Sequence, residues 1–238
     1  MGLQIPIVRA RRSLATARPT KLAWYDALSL SVGALSVWPD SSGNGYDTAL
    51  QGTGTKRPTV TAGQFNGQQT VLFDGGDTLA LPSGLYTLTQ GDHTIIALAK
   101  RNLENATIQR ILGAAAGVTA RIQFGYTATA GQCNFACNSG GTAVSSSGNT
   151  NTNYQLLVGR KTGTTQFISV NNTNSNSDSN GVNVSGVDTF FIGSNRDADR
   201  YLTGGIGEIR IYGYALSAAE LSIELNDMVS RWGGPTLS

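Results

Sequence analysis

From Leu22 onward, short runs rich in Val, Ile, Phe and Tyr recur along the chain. A polar turn cuts off each of them before it reaches helical length. The runs are LAWYDA, LSVWPD, TVLFDG, TLALP, TIIALAK, RILGA, RIQFGY, CNFAC, QLLVGR, QFISVN, TFFIG and IGEIRIY, separated by Gly, Asn, Ser or Asp clusters. β-Branched and aromatic residues suit a pleated, half-buried surface, and Gly, Asn and Asp supply the backbone angles that turns require. A dozen such strands with almost no helical period predict an all-β sandwich or barrel. At 238 residues the chain is long enough to bury one large core.

Composition agrees. Charged residues make up 13% of the chain and there are 30 glycines, so surface polarity falls to Asn, Ser, Thr and Gln. The net charge of +2 is too small for the whole molecule to attract nucleic acid. The charge is uneven, however. Arg9, Arg11, Arg12, Arg18 and Lys21 precede the first acid, Asp26, which leaves twelve of the seventeen basic residues against all fifteen acids. Residues 1–21, interrupted by Pro6 and Pro19, read as a basic arm, and residues 22–238 as the folded domain. Docking of the five arm cations on a neighbouring subunit is the functional reading of that segment. Nucleic acid is not expected as a partner, because the cations lack interleaved aromatics.

The N-terminus lacks the apolar core of a signal peptide, and no run of about 18 apolar residues is present to span a membrane. On this reading the chain is made in the cytoplasm, and the sequons at Asn105, Asn171 and Asn183 carry no weight. Cys133 and Cys137 fall four apart on a strand, about 13 Å from each other, which is too far for a disulfide. Buried free thiols are expected.

One helix is marked near the end, in ALSAAELSIELNDMVSRWGGP. Ser217 and Glu220 have capping-box spacing, and Leu216 and Leu221 that of a hydrophobic staple. Leu221, Leu225, Met228 or Val229, and Trp232 form one apolar side, and Gly233, Gly234 and Pro235 end it. The preceding strand, GGIGEIRIY, alternates Ile209 and Ile211 with Glu208 and Arg210, the pattern of a strand with one buried face.

Two boxes, WPDSSGNG and GGIGEIRIYGYALSAAE, accompany WYDA, RPT and the stretch NGQQTVLFDGGDTLAL. In that order the chain resembles the laminin-G-like branch of the concanavalin A-like lectin/glucanase superfamily, from about Leu22 to Trp232. The resemblance implies a jelly roll of two antiparallel sheets, with the closing helix capping one end. The variant that opens on WYDA resembles domains of phage virion proteins and bacterial surface proteins. It therefore implies a non-enzymatic bacteriophage structural protein, a capsid decoration or appendage component located in the virion. Its partners would be capsid subunits, and it would form a homo-oligomer, with a trimer as the guess. The alternative is a lectin-like module that binds glycans on a particle or cell surface.

Glucanases of this superfamily carry E-x-D-x-x-E on a strand, which is absent here. Glu208 stands alone beside Arg210, Glu104 lies in a loop-like segment, and Asp197 and Asp199 fall in a turn, so no enzymatic activity is expected. His93, the single histidine, opens a strand, where a surface or turn role is the plain reading. No cofactor is required. Calcium is the one metal to consider, with oxygens from Asp40, Asn44 and Asp47 in one loop and Asp197 and Asp199 in another. Against it, Asp40 and Asn44 are turn residues that bond backbone groups, with Gly43 and Gly45 at positive φ. Stacking on a sugar would fall to Tyr46, Tyr126, Tyr154 or Tyr201, since Trp24, Trp38 and Trp232 read as structural.

Overall fold

The apolar runs become strands that pair over long sequence distances. The computed structural model describes residues 17–102, 107–116, 120–138, 144–146, 152–183, 189–195 and 200–234. In chain order the elements start with β1 (Ala23–Asp26), β2 (Gly33–Ala34), β3 (Thr59–Phe65), β4 (Gln68–Asp74), β5 (Leu79–Ala80) and the short helix α1 (Ser83–Leu88). There follow β6 (His93–Arg101), β7 (Gln109–Ala116), β8 (Ala120–Tyr126), β9 (Cys133–Asn138) and β10 (Val144–Ser146). The last are β11 (Gln155–Thr162), β12 (Thr165–Val170), β13 (Asn174–Asp178), β14 (Phe191–Ile192), β15 (Thr203–Tyr212) and α2 (Ala218–Trp232).

They form two antiparallel sheets, as the strand pattern predicts. The larger runs β13-β12-β11-β6-β15-β4-β3-β2, with β1 as its ninth strand, and the smaller runs β10-β9-β8-β7-β14-β5. β15 organises the larger sheet. One side of it pairs along β6, and the other is shared by β4 near Thr203–Ile206 and β1 near Glu208–Ile211. The first strand of the domain is thus held by the last.

The core lies between the sheets. Gly159 of β11 sits opposite Ile95 of β6, and a Cβ placed there would come within 2.3 Å of the Phe135 ring on the smaller sheet. Only a glycine lets the sheets approach so closely at that point. Alternation puts Ile95, Ala97, Ile209 and Ile211 on this same inner face, and all are fully buried.

The outer face of the larger sheet departs from expectation. Glu208 and Arg210 should have been solvated, yet both are fully buried. The reason is α2, which lies across that face rather than capping an end of the sandwich. A Cβ on Gly207 would meet Trp232 of the helix at 3.0 Å, and Tyr212 and Arg210 both bond Glu224 from beneath it.

Within α2 the sequence reading holds. Ser217 and Glu220 form the reciprocal capping box, and Gly233 ends the helix in the left-handed conformation. Leu221, Leu225, Met228 and Trp232 are buried, and Val229 packs at the margin. Neither cysteine forms a disulfide, and both are buried. Burial pushes the Cys137 thiol up to about 12, so it stays protonated and unreactive.

His93 is not a surface residue. It is fully buried, its Nδ1 lies 2.9 Å from the Gly91 carbonyl, and its ring meets Phe135 edge-on. Burial drives its pKa down to about 4. The sequence showed a polar residue at a strand start, but the first residue of β6 already faces inward.

Candidate functional site

The WPDSSGNG loop is a set of turns built on one carboxylate. Asp40 Oδ1 accepts the N–H groups of Trp24 and Ser42 at 2.9 Å, and Oδ2 accepts the Ser42 hydroxyl at 2.8 Å and the Tyr46 N–H at 3.1 Å. Asp47 accepts the Asp40 N–H at 2.7 Å, and the Asn44 amide donates to the carbonyls of Lys21 and Leu22. The loop therefore stitches β1 to the following chain. Among the described residues, no three His, Cys, Asp or Glu side chains converge as metal ligands. Asp197 and Asp199 lie outside the described residues, as does Glu104.

The second cluster lies under α2. The Glu208 carboxylate accepts the indole N–H groups of Trp24 (2.6 Å) and Trp232 (2.7 Å) and the Arg210 Nε–H (2.6 Å). Arg210 reaches on to Glu224 and Asp227. Arg18 pairs with Asp227, Lys21 with Glu224 at 3.1 Å, and Arg231 with Asp26. Lys21, Arg210 and Arg231 also lie over the Trp24 ring, 4.9–5.7 Å from its centre. Four cations thus meet four carboxylates. Burial works to raise the Glu224 pKa, but the Tyr212 hydroxyl, Arg210 and Lys21 hold it below the ordinary value. Of the five arm cations, Arg18 and Lys21 are engaged within the chain, while Arg9, Arg11 and Arg12 lie outside the described residues. Glu208, enclosed by two indoles and a guanidinium, has no route to a substrate.

A different region has the shape of a binding site. At the end of the sandwich where β4 and β6 finish and β7 and β15 begin, two clefts meet at Thr203. One, about 470 Å³, is bordered by Gly75, Thr107, Ile108, Gln109, Arg200 and Tyr201. The other, about 440 Å³, is bordered by Arg57, Thr59, Phe73, Asp74, Asp77 and Asn102, with Leu72 beneath. Each of these two neighbouring clefts, together called the trough below, has a volume within the range typical of small-molecule sites.

Local chemistry positions its walls. Thr203 pairs with Asp74 across the sheet, its N–H donates to the Gln109 side chain at 2.9 Å, and its carbonyl accepts the Asn102 N–H at 2.8 Å. The DGGD turn after β4 folds back on itself, with the Asp74 N–H donating to Asp77 and the Gly76 N–H to Asp74. Gly75 adopts φ 100°, and a Cβ there would strike the Thr203 hydroxyl at 2.7 Å, so only a glycine lets the turn approach Thr203 so closely. Asp77 is buried. That burial, together with the neighbouring Asp74 carboxyl to which it hydrogen-bonds, pushes its pKa up to about 6, although the Asp74 backbone N–H opposes the shift.

Of the four tyrosines considered for stacking, Tyr201 alone borders the trough. Tyr126 and Tyr154 are buried, the latter bonded to Thr70, and Tyr46 lines neither cleft. The rest of the trough was not singled out from sequence. Its one readable signal was the DGGD turn, which marks a tight reversal but not what assembles around it.

A laminin-G family model described as the concanavalin A-like lectin/glucanases superfamily matches residues 73–222. No curated protein matches the chain by sequence. Among solved structures, domain 4 of an extracellular arabinanase from Geobacillus stearothermophilus, in complex with arabinotriose, is similar. The TM-score is 0.64 at 18% identity, over 88% of this chain and 99% of that domain. A Trypanosoma rangeli sialidase in complex with the inhibitor DANA gives 0.61 at 15% identity over 87% of this chain, which spans about a third (33%) of the sialidase. The CBM40 of a Ruminococcus gnavus sialidase, bound to α2,3-sialyllactose, gives 0.55 at 16% identity over 66% of this chain and 95% of that module. At such identities the likeness is one of fold. The match of the family model over more than half of the sequence, on a two-sheet antiparallel sandwich, makes this chain a member of the concanavalin A-like lectin/glucanase superfamily.

Proposed function

We propose that this domain binds carbohydrate in the trough at Thr203 and does not turn it over. The observation that carries the reading is the trough's mixture of groups. A tyrosine ring, two amide side chains, three threonines and a carboxyl pair border two clefts that share Thr203. Sugars present hydroxyl donors and acceptors on polar edges and C–H groups on their faces, and this lining offers partners for both. The arabinanase domain in complex with arabinotriose and the CBM40 bound to sialyllactose lend support, since each carries a glycan on a similar fold.

Binding without hydrolysis is supported by the carboxylates. Retaining hydrolysis needs two carboxyls about 5 Å apart across the scissile bond, and inversion needs them farther apart. The Asp77 carboxyl accepts the Asp74 N–H within the same turn, so the two carboxyls lie side by side rather than across a glycosidic bond. The particle-docking reading drew on the basic arm. The two arm cations that the structure describes, Arg18 and Lys21, are paired within the chain, with Asp227 and Glu224.

The test is a glycan array probed with the whole protein, with and without chelator, alongside the double variant Asn102→Ala/Tyr201→Ala. Retained glycans that the variant no longer holds support the reading. A blank array, or binding that the variant leaves intact, refutes it.

A further inference from the structure

The two halves of the trough differ chemically, and the difference specifies a ligand class. This inference rests on the carbohydrate reading. In the first half, Asp74, Asp77 and Asn102 supply carboxyl and amide groups, with Thr59 beside them. The nearest cation, Arg57, turns its Nε to the Gln51 carbonyl at 2.7 Å and one Nη to the Gly52 carbonyl at 3.4 Å. An anionic sugar unit placed there would face two carboxyl groups, with the adjacent guanidinium aimed at the backbone. A neutral unit would instead donate its hydroxyls to Asp74 and accept from Asn102.

Among the described residues that border it, the second half has no carboxylate. It offers the Tyr201 ring and Ile108, with Thr107 and Gln109 at the edge. Arg200, which also borders it, is already engaged in an interaction. A sugar face laid on Tyr201 meets apolar surface there, and its hydroxyl rim reaches the polar edge. Thr203 borders both halves, so a ligand that spans them passes over it.

We propose that the trough takes a neutral oligosaccharide of two or more units, one held through hydroxyls at Asp74, Asp77 and Asn102 and the next stacked on Tyr201. Monosaccharides fill only one half, and sialylated glycans are rejected at the carboxyl half.

The experiment uses the full chain. An array that includes neutral and sialylated glycans identifies the strongest neutral oligosaccharide, and titration calorimetry then follows its truncations down to the monosaccharide. Affinity should fall at least about tenfold from disaccharide to monosaccharide, the loss expected when one set of contacts disappears. Tyr201→Ala should lower disaccharide affinity about tenfold and narrow that gap, whereas Asn102→Ala should weaken both ligands. Thermal melts establish that each variant is folded. A monosaccharide that binds as tightly as its oligomers, or a preference for sialylated glycans, overturns the two-unit neutral assignment and leaves the carbohydrate reading standing. A blank array overturns both.

Discussion

Replacing Arg210 with methionine tests whether the charges under α2 act as one unit. The guanidinium bonds Glu208 at 2.6 Å, Asp227 at 2.7 Å and Glu224, and both glutamates have fully buried side chains. Methionine fills much of the same volume but leaves two buried carboxylates without their central cation. Removing one partner of a buried ion pair costs about 3–5 kcal/mol, because the remaining charge stays desolvated. With a urea m-value of about 3 kcal/mol/M, the unfolding midpoint should drop by about 1–1.7 M at neutral pH, with m unchanged. The pH dependence adds a second readout. Glu224 and Asp227 have folded pKa values below their ordinary ones, as their bonds to the surrounding cations and hydroxyl outweigh the opposing effect of burial. Their stabilisation is present above the ordinary carboxylate values, near 4.5 and 3.8, and is lost as pH falls through the folded ones. Much of it is already missing in Arg210→Met, so the wild-type and variant curves should converge on acidification. A neutral-pH loss below about 1 kcal/mol, or a gap that widens in acid, would refute the coupled-network account.

Three further outcomes follow from the geometry. Gly159→Ala drives a Cβ into the Phe135 ring and should cost about 1–3 kcal/mol, seen as a melting temperature lower by about 2–10 °C. Asp40→Ala removes the acceptor for four donors around β1 and should destabilise by about 2–3 kcal/mol in urea, while chelator leaves the wild-type melt unchanged. His93 stays neutral in the fold down to pH about 4 but titrates near 6.5 when unfolded, so the unfolded state takes up the extra proton. Stability should therefore fall by about 3 kcal/mol between those two pH values. His93→Gln should remove that slope, and an unchanged slope would show that another group causes it.

Elements governed by local rules were legible in the sequence. Ser217, Glu220, Leu216 and Gly233 announce α2 because caps and staples act within a few residues. The strands were readable because a period of two needs only neighbours. What alternation cannot say is what covers each face. Glu208 and Arg210 carry the signature of a solvated side, and only the docking of a helix that begins at Ala218 reverses it. His93 misled for the same reason, since a polar side chain at a strand start gives no sign of the Phe135 ring packed against it. The trough was the hardest to foresee. Asp74, Asn102, Gln109 and Thr203 come from four separate segments, and only the order of strands in two sheets brings them together.

The pairing of β1 with β15 also sets a timetable for folding. Trp24 lies opposite Arg210 in that pairing, so β1 waits for almost the entire domain to be synthesised before its partner exists. At 5–20 residues per second that delay is on the order of ten to forty seconds. Until then Tyr25 and Ala23, fully buried in the finished sandwich, have no strand to lie against. Non-local closure of this kind slows folding, because loop entropy is lost before the contacts that reward it can form. The basic residues just ahead of β1 thus leave the ribosome before the domain they join, and Arg18 and Lys21 are among the last to find their counter-ions.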